Sequence, residues 1–148
     1  MRFTPTKLFT IGFTRTSAES FFTRLRDAGV KSVIDVRLNN VSQLAGFAKR
    51  DDLAYFLKAL GGLRYVHEPL LAPTKTMLAT YRRGGTWPRY ETQFRALLVE
   101  RRVDEVLTRS TFEDACLLCS EREPTQCHRR LVAEHLQQAW RGLNVRHL

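Results

Sequence analysis

Residues 7–36 read KLFTIGFTRTSAESFFTRLRDAGVKSVIDV, and this stretch decides the fold. Lys7-Leu8-Phe9-Thr10-Ile11-Gly12 is a short, mostly apolar run and reads as a strand. Ser17 can cap a helix whose apolar residues are Ala18, Phe21, Phe22, Leu25 and Ala28. That spacing paints one face of a helix, and Gly29 stands where helices stop. Lys31-Ser32-Val33-Ile34-Asp35-Val36 reads as a second strand. Two strands joined through a helix cannot form a hairpin. They lie parallel, linked by a right-handed crossover.

The alternation continues outward from this unit. After a loop of about a dozen residues, Asp51 or Asp52 can cap a helix with Leu53, Phe56, Leu57 and Leu60 on one face, ended by Gly61-Gly62. Leu63–His67 is a third strand, closed by Pro69. A short helix is expected around Thr76–Arg83, then a loop at Gly84-Gly85-Thr86-Trp87-Pro88. A longer helix is expected from Glu91 to Thr108, bent near Arg101-Arg102 where its apolar face shifts. Ala115–Cys119 is a fourth strand. The last helix starts near Cys127 or His128 and carries Val132, His135, Leu136 and Ala139; Asn144–His147 can add a terminal strand. The fold class is therefore α/β: a single domain with a mostly parallel sheet of about five strands and helices on both faces.

Composition bounds the function classes. The 148 residues suit one core, with 43% hydrophobic and 26% charged residues. No apolar run approaches the roughly 20 residues that span a bilayer, so no membrane partner is expected. Met1 to Lys7 lacks the order of a secretory signal, which points to the cytoplasm. Cys116, Cys119 and Cys127 are an odd count crowded into one stretch, which is no disulfide framework. Net charge is +9, and 19 of the 24 basic residues are arginine. Arginine matches phosphate with paired hydrogen bonds, so an anionic small molecule or nucleic acid is a fitting partner. Arginine bias from base composition explains the same count equally well.

In parallel sheets, ligands sit beyond the carboxyl ends of the strands. Phe13-Thr14-Arg15-Thr16-Ser17 follow the first strand; Asp35 and Arg37 end the second; His67 and Glu68 end the third; Cys119, Ser120 and Glu121 end the fourth. Polar groups from four strands thus converge on one edge. The run Cys119-Ser120-Glu121-Arg122-Glu123-Pro124-Thr125-Gln126-Cys127-His128-Arg129 passes from a strand end into a helix start. Helix starts bind anions and favour thiolates. Cys119 and Cys127 are candidate nucleophiles or redox thiols, and Glu121, His67, His128 and Asp35 candidates for moving or orienting protons. Arg37, Arg129, Thr14, Arg15 and Tyr90 are candidates for holding an anion or its base. Each has a bland counterpart: a buried cysteine, a structural ion pair, a core histidine.

Three further readings follow. Cys116-x-x-Cys119 suggests zinc ligands, but residues three apart in a strand face opposite sides of the sheet. A site made of Cys119, Cys127 and His128 with an outside ligand stays open, yet no metal or other cofactor is expected. The Cys-x5-Arg phosphate cradle of tyrosine phosphatases and rhodaneses is absent, since Thr125 and Ala133 stand where its arginine would be. Arg82-Arg83-Gly84-Gly85-Thr86-Trp87-Pro88-Arg89-Tyr90 mixes charges and rings that can meet phosphates and bases, or simply form a solvated loop.

Thr10-Ile11-Gly12, Ile34-Asp35-Val36-Arg37, Tyr65-x-His67-x-Pro69-Leu70 and Leu118-Cys119-x-Glu121-x-x-Pro124-x-x-Cys127-His128-Arg129 together resemble the domain of unknown function 488 family (DUF 488). Phe47, Tyr90 and Phe94 also fall at fitting positions. The resemblance runs from about Leu8 to His147. It implies a compact α/β fold and marks Cys119, Glu121, Cys127, His128 and Arg129 as pattern positions, with Cys116 outside the pattern. The family carries a histidine after Thr-Ile-Gly; this chain has Phe13. No reaction comes with the resemblance. The expectation is an enzyme acting on a phosphate-bearing substrate, nucleotide or nucleic acid. The alternative is a non-catalytic, basic nucleic-acid-binding module with a structural cysteine loop.

Overall fold

The strands that the sequence marks are parallel neighbours in one sheet. A computed structural model describes residues 6–41 and 46–148; residues 1–5 of the stretch read above for a signal, and part of the loop after the second strand, lie outside the described residues. In chain order the elements are β1 (Thr6–Gly12), α1 (Ala18–Ala28), β2 (Ser32–Asp35), α2 (Arg50–Gly61), β3 (Arg64–His67), α3 (Lys75–Arg82), α4 (Trp87–Glu100), α5 (Val103–Val106), α6 (Arg109–Phe112), β4 (Ala115–Cys119), α7 (His128–Ala139) and β5 (Leu143–His147). The sheet order is β3-β2-β4-β1-β5, and every neighbouring pair is parallel.

The register aligns the strand ends. Gly12 of β1 pairs with Cys119 of β4, Asp35 of β2 with Leu118 of β4, and Asp35 with His67 of β3. The rim inferred from the sequence is therefore a real edge. β4, last of the four in the chain, sits between β1 and β2, and connections leave its two sides in opposite directions. Such a switch point opens a crevice at the carboxyl edge.

Strand alternation divides the core into two layers. Phe9, Ile11, Val33, Cys116 and Leu118 face α1 and α2 through Phe21, Leu25, Leu53 and Leu57. Leu8, Ile34, Val36, Leu117 and Cys119 face α4 and α7 through Phe94, Leu98, Val132 and Leu136. Cys116 and Cys119 thus lie on opposite faces. Fully burying a Leu or Phe side chain stabilises by about 1.5–3 kcal/mol, so both layers contribute heavily.

Ser17 caps α1 by accepting from the Ser20 amide at 3.1 Å, and Gly29 closes it at φ 77°. Elsewhere the helix ends differ from the sequence reading. α2 starts at Arg50, and its N-cap is Lys49, which supplies no side-chain bond. Asp51 and Asp52 lie inside the first turn, where a carboxylate still favours the helix dipole. Trp87 and Pro88 open α4 rather than lying in a loop, because the first turn tolerates a residue without an N–H. The helix expected from Glu91 to Thr108 is two, α4 and α5, and the break falls where the bend near Arg101-Arg102 is expected. Arg102 takes a left-handed backbone conformation, φ 51°, which ends the first and redirects the chain into α5. Among the described residues, no helix is long and apolar enough to cross a membrane.

Candidate functional site

Residues 120–127 link the end of β4 to the start of α7, and their path fixes the site. Both the Phe13 and Thr14 amides donate to the Ser120 carbonyl, at 3.3 and 3.0 Å, and the Thr14 hydroxyl donates to it at 2.6 Å. The loop lies so close to β1 that a Cβ on Gly12 would sit 1.6 Å from the Glu121 carbonyl oxygen. Only glycine fits there, which is the physical content of Thr-Ile-Gly at this strand end.

Arg129, one residue into α7, is wholly buried beneath this loop. Its guanidinium donates to the carbonyls of Glu121 and Arg122, the latter at 3.1 Å, and to the Thr10 hydroxyl at 3.3 Å. It holds the loop in place and does not line the cavity described below.

The second anchor is at the end of β2. Arg37 donates two side-chain bonds to Asp35, each 2.8 Å, and its own amide donates to Asp35 at 3.0 Å. Both residues are buried, Arg37 at 2% exposure. Tyr65 donates its hydroxyl to Asp35 Oδ2 at 2.5 Å, and burial, then Asp35, push the phenol well above its ordinary range. His67 Nε2 donates to the Arg37 carbonyl at 3.0 Å. The guanidinium lies 5.2 Å from the centre of the Phe13 ring. Phe13 therefore packs against this cation. Arg37 Nη1 is buried with no hydrogen-bond partner among the described residues.

Cys119, Cys127 and His128 meet between these anchors. Cys127 is the N-cap of α7 and His128 its first residue. His128 Nε2 lies 2.7 Å from the Val36 carbonyl, which can only accept, so Nε2 carries the proton. In the neutral ring Nδ1 then carries the lone pair, and it lies 3.6 Å from Cys119 Sγ. The Phe94 ring meets the imidazole edge-on at 5.3 Å. The Cys119 thiol is pushed below its ordinary value, first by the hydrogen bond from Cys127, working against burial, then by the Ser120 backbone and the Arg129 charge. Cys127 is pushed far up by the same bond and by burial. Cys127 thus donates toward Cys119, the more acidic of the two thiols. Burial alone drives Cys116 up, and it stays a core thiol.

A cavity of about 470 Å³ opens over this group. Its polar side has Arg37, Cys119, Ser120, Glu121, Cys127 and His128, and its aromatic side has Tyr81, Trp87 and Tyr90. Trp87 and Tyr90 stack at 5.4 Å, and Tyr81 tilts onto Tyr90 at 5.0 Å.

Of the candidates read from the sequence, Cys119, Glu121, Cys127, His128, Arg37 and Tyr90 line this cavity. Asp35 and His67 stand behind it as supports for Arg37. Thr14 and Arg15 lie on the far side of the cysteine loop; Thr14 bonds it, and Arg15 is exposed in a left-handed turn. Tyr81 was not singled out. Trp87, Tyr90 and Phe94 share one helix face, a signal masked by placing Trp87 in a loop.

With the geometry in view, comparison with known proteins adds one finding. No curated protein and no solved structure matches the chain. The family model described as "Domain of unknown function DUF488" matches residues 17–136, most of its length. The chain with Cys119, Cys127 and His128 gathered at its sheet edge belongs to the DUF488 family.

Proposed function

We propose that this protein is an enzyme that acts on a phosphate-bearing substrate, a nucleotide or nucleic acid, with Cys119 as its nucleophile. The observation that carries this reading is the 3.6 Å approach of Cys119 Sγ to Nδ1 of His128, in the cavity that Arg37 also lines. A thiol beside an oriented base is the arrangement that activates a nucleophile.

The roles follow from position. Arg37 keeps its Nη1 group uncommitted after binding Asp35, and that donor suits an anionic oxygen. Tyr81, Trp87 and Tyr90 offer flat surfaces to a base. His128 Nδ1 accepts the Cys119 proton. The thiolate forms a bond to the electrophilic atom as the leaving group departs with the bonding electron pair, and His128 returns the proton to it. Glu121, exposed at the cavity mouth, can then take a proton from water or a second acceptor as its oxygen bonds the electrophilic atom and Cys119 leaves with the bonding pair as thiolate. Three unpaired cysteines suit a reducing compartment, and we place the activity in the cytoplasm.

The test is a turnover screen of phosphate monoesters, nucleotides and short oligonucleotides. For the active compound, Cys119→Ser abolishes turnover while binding persists, and Arg37→Met weakens binding. If no compound turns over, and oligonucleotide affinity falls steeply with salt and ignores Cys119→Ser, the protein is a basic nucleic-acid-binding module instead.

A further inference from the structure

We propose that Cys119, Cys127 and His128 form a binding site for one thiophilic divalent cation, of the Zn²⁺ class, with its fourth coordination position open to the cavity. The ligand atoms of these three side chains all lie within 4.8 Å of one another. In a tetrahedral zinc site, bonds of about 2.3 Å to sulfur and about 2.0–2.1 Å to nitrogen place S and N about 3.6 Å apart. Cys119 Sγ and His128 Nδ1 already stand at 3.6 Å.

The second requirement is orientation. A ligating histidine usually donates its other N–H to a fixed acceptor, which sets the tautomer and aims the lone pair. His128 Nε2 is so bound to the Val36 carbonyl at 2.7 Å, leaving Nδ1 toward the sulfurs. The charges also balance. Each thiol releases one proton on binding, and two thiolates neutralise M²⁺. Asp35 neutralises Arg37 nearby, so the cation meets no uncompensated repulsion from that side. Three protein ligands and an open position facing a 470 Å³ cavity is the arrangement of reactive rather than purely structural zinc sites. Water or an anionic oxygen of a ligand completes the set. Cys116 takes no part, because it lies on the other face of the sheet.

One consequence rests on the nucleophile reading above: a bound cation occupies the Cys119 lone pair and silences the thiol. Metal capture then regulates the site. Binding itself does not depend on that reading.

The experiment titrates the reduced, metal-free full chain with Co²⁺. One equivalent should produce thiolate-to-cobalt charge-transfer bands and intense visible bands of tetrahedral coordination, both bleached by Zn²⁺. Cys127→Ser and His128→Gln should each weaken binding by at least about 10-fold, whereas Cys116→Ser should leave the titration unchanged. Circular dichroism checks that each variant folds, and should a ligand variant fail to fold, wild-type protection decides: one equivalent of Zn²⁺ should block iodoacetamide labelling of Cys119. No bands at one equivalent in folded wild type, or unaltered bands in folded Cys127→Ser, overturns the proposal, as does unprotected Cys119. If metal binds but metal-free Cys119 is unreactive, the nucleophile reading falls and the metal site stands.

Discussion

Replacing Asp35 by asparagine should destabilise the protein severely. Asp35 is fully buried and accepts two side-chain bonds from Arg37, one from Tyr65 and one from the Arg37 amide. Asparagine keeps the shape but removes the charge, leaving a guanidinium at 2% exposure without its counter-ion. Removing one partner of a buried pair costs about 3–5 kcal/mol. For a chain of this size each kcal/mol lowers Tm by about 2–4 °C, so the drop is roughly 6–20 °C. Replacing the whole group should cost far less. Asp35→Leu, Arg37→Met and Tyr65→Phe together remove the charges and the hydroxyl that would lose its acceptor, and apolar substitutes of similar volume are often neutral, leaving only the Arg37 amide without its acceptor, at about 1–3 kcal/mol. Urea unfolding of the single and triple variants measures both values. The triple variant should stay folded but lose anion binding, which separates the stability of the Asp35–Arg37 pair from its use. A cost below about 1 kcal/mol for Asp35→Asn, or a triple variant less stable than the single one, would refute the argument.

Other expectations are more local. Gly12→Ala should force the Glu121 carbonyl aside, costing about 1–3 kcal/mol or more and misplacing Cys119; alkylation should slow while far-ultraviolet dichroism stays native. Cys127→Ala removes the donor that favours the Cys119 thiolate, so the pH midpoint of Cys119 alkylation should rise. Glu91 joins Arg95 and Arg130 in an ion network with Glu134, and Arg95 first of all holds its carboxyl below the ordinary range. A depressed folded value means the contribution is present above the ordinary carboxylate range and is lost as pH falls through the folded value. Glu91→Gln should therefore lower stability by up to about 1 kcal/mol near neutrality and by nothing in strong acid.

The parts of the fold legible in the sequence were those with a local cause. Ser17 and Gly29 bracket α1 because a hydroxyl can accept from the first turn and glycine tolerates a left-handed exit. The strand ends were legible because parallel strands share a polarity, so Asp35, His67 and Cys119 had to share an edge. What long-range contacts decide was hidden. Arg129 reads like an anion ligand, yet three acceptors from β1 and the cysteine loop consume it. His67 reads like a base at the site, yet it donates Nε2 to the Arg37 carbonyl and does not line the cavity. Trp87-Pro88 reads as a breaker, and only the start of α4 at this point puts Trp87 beside Tyr90. The shift of the apolar face marks a break near Arg101-Arg102, but not the left-handed turn at Arg102, a conformation arginine rarely takes.

The central claim is that the ends of β2 and β4 and the start of α7 assemble a reactive Cys119 beside His128 and Arg37. Mass-spectrometric mapping of iodoacetamide labelling on the metal-free, reduced protein across pH tests it most directly. Cys119 should label first, with a midpoint below the ordinary thiol value of about 8.5, while Cys116 stays unlabelled until unfolding. Cys119 labelling no faster than Cys116, or only above that value, would contradict it.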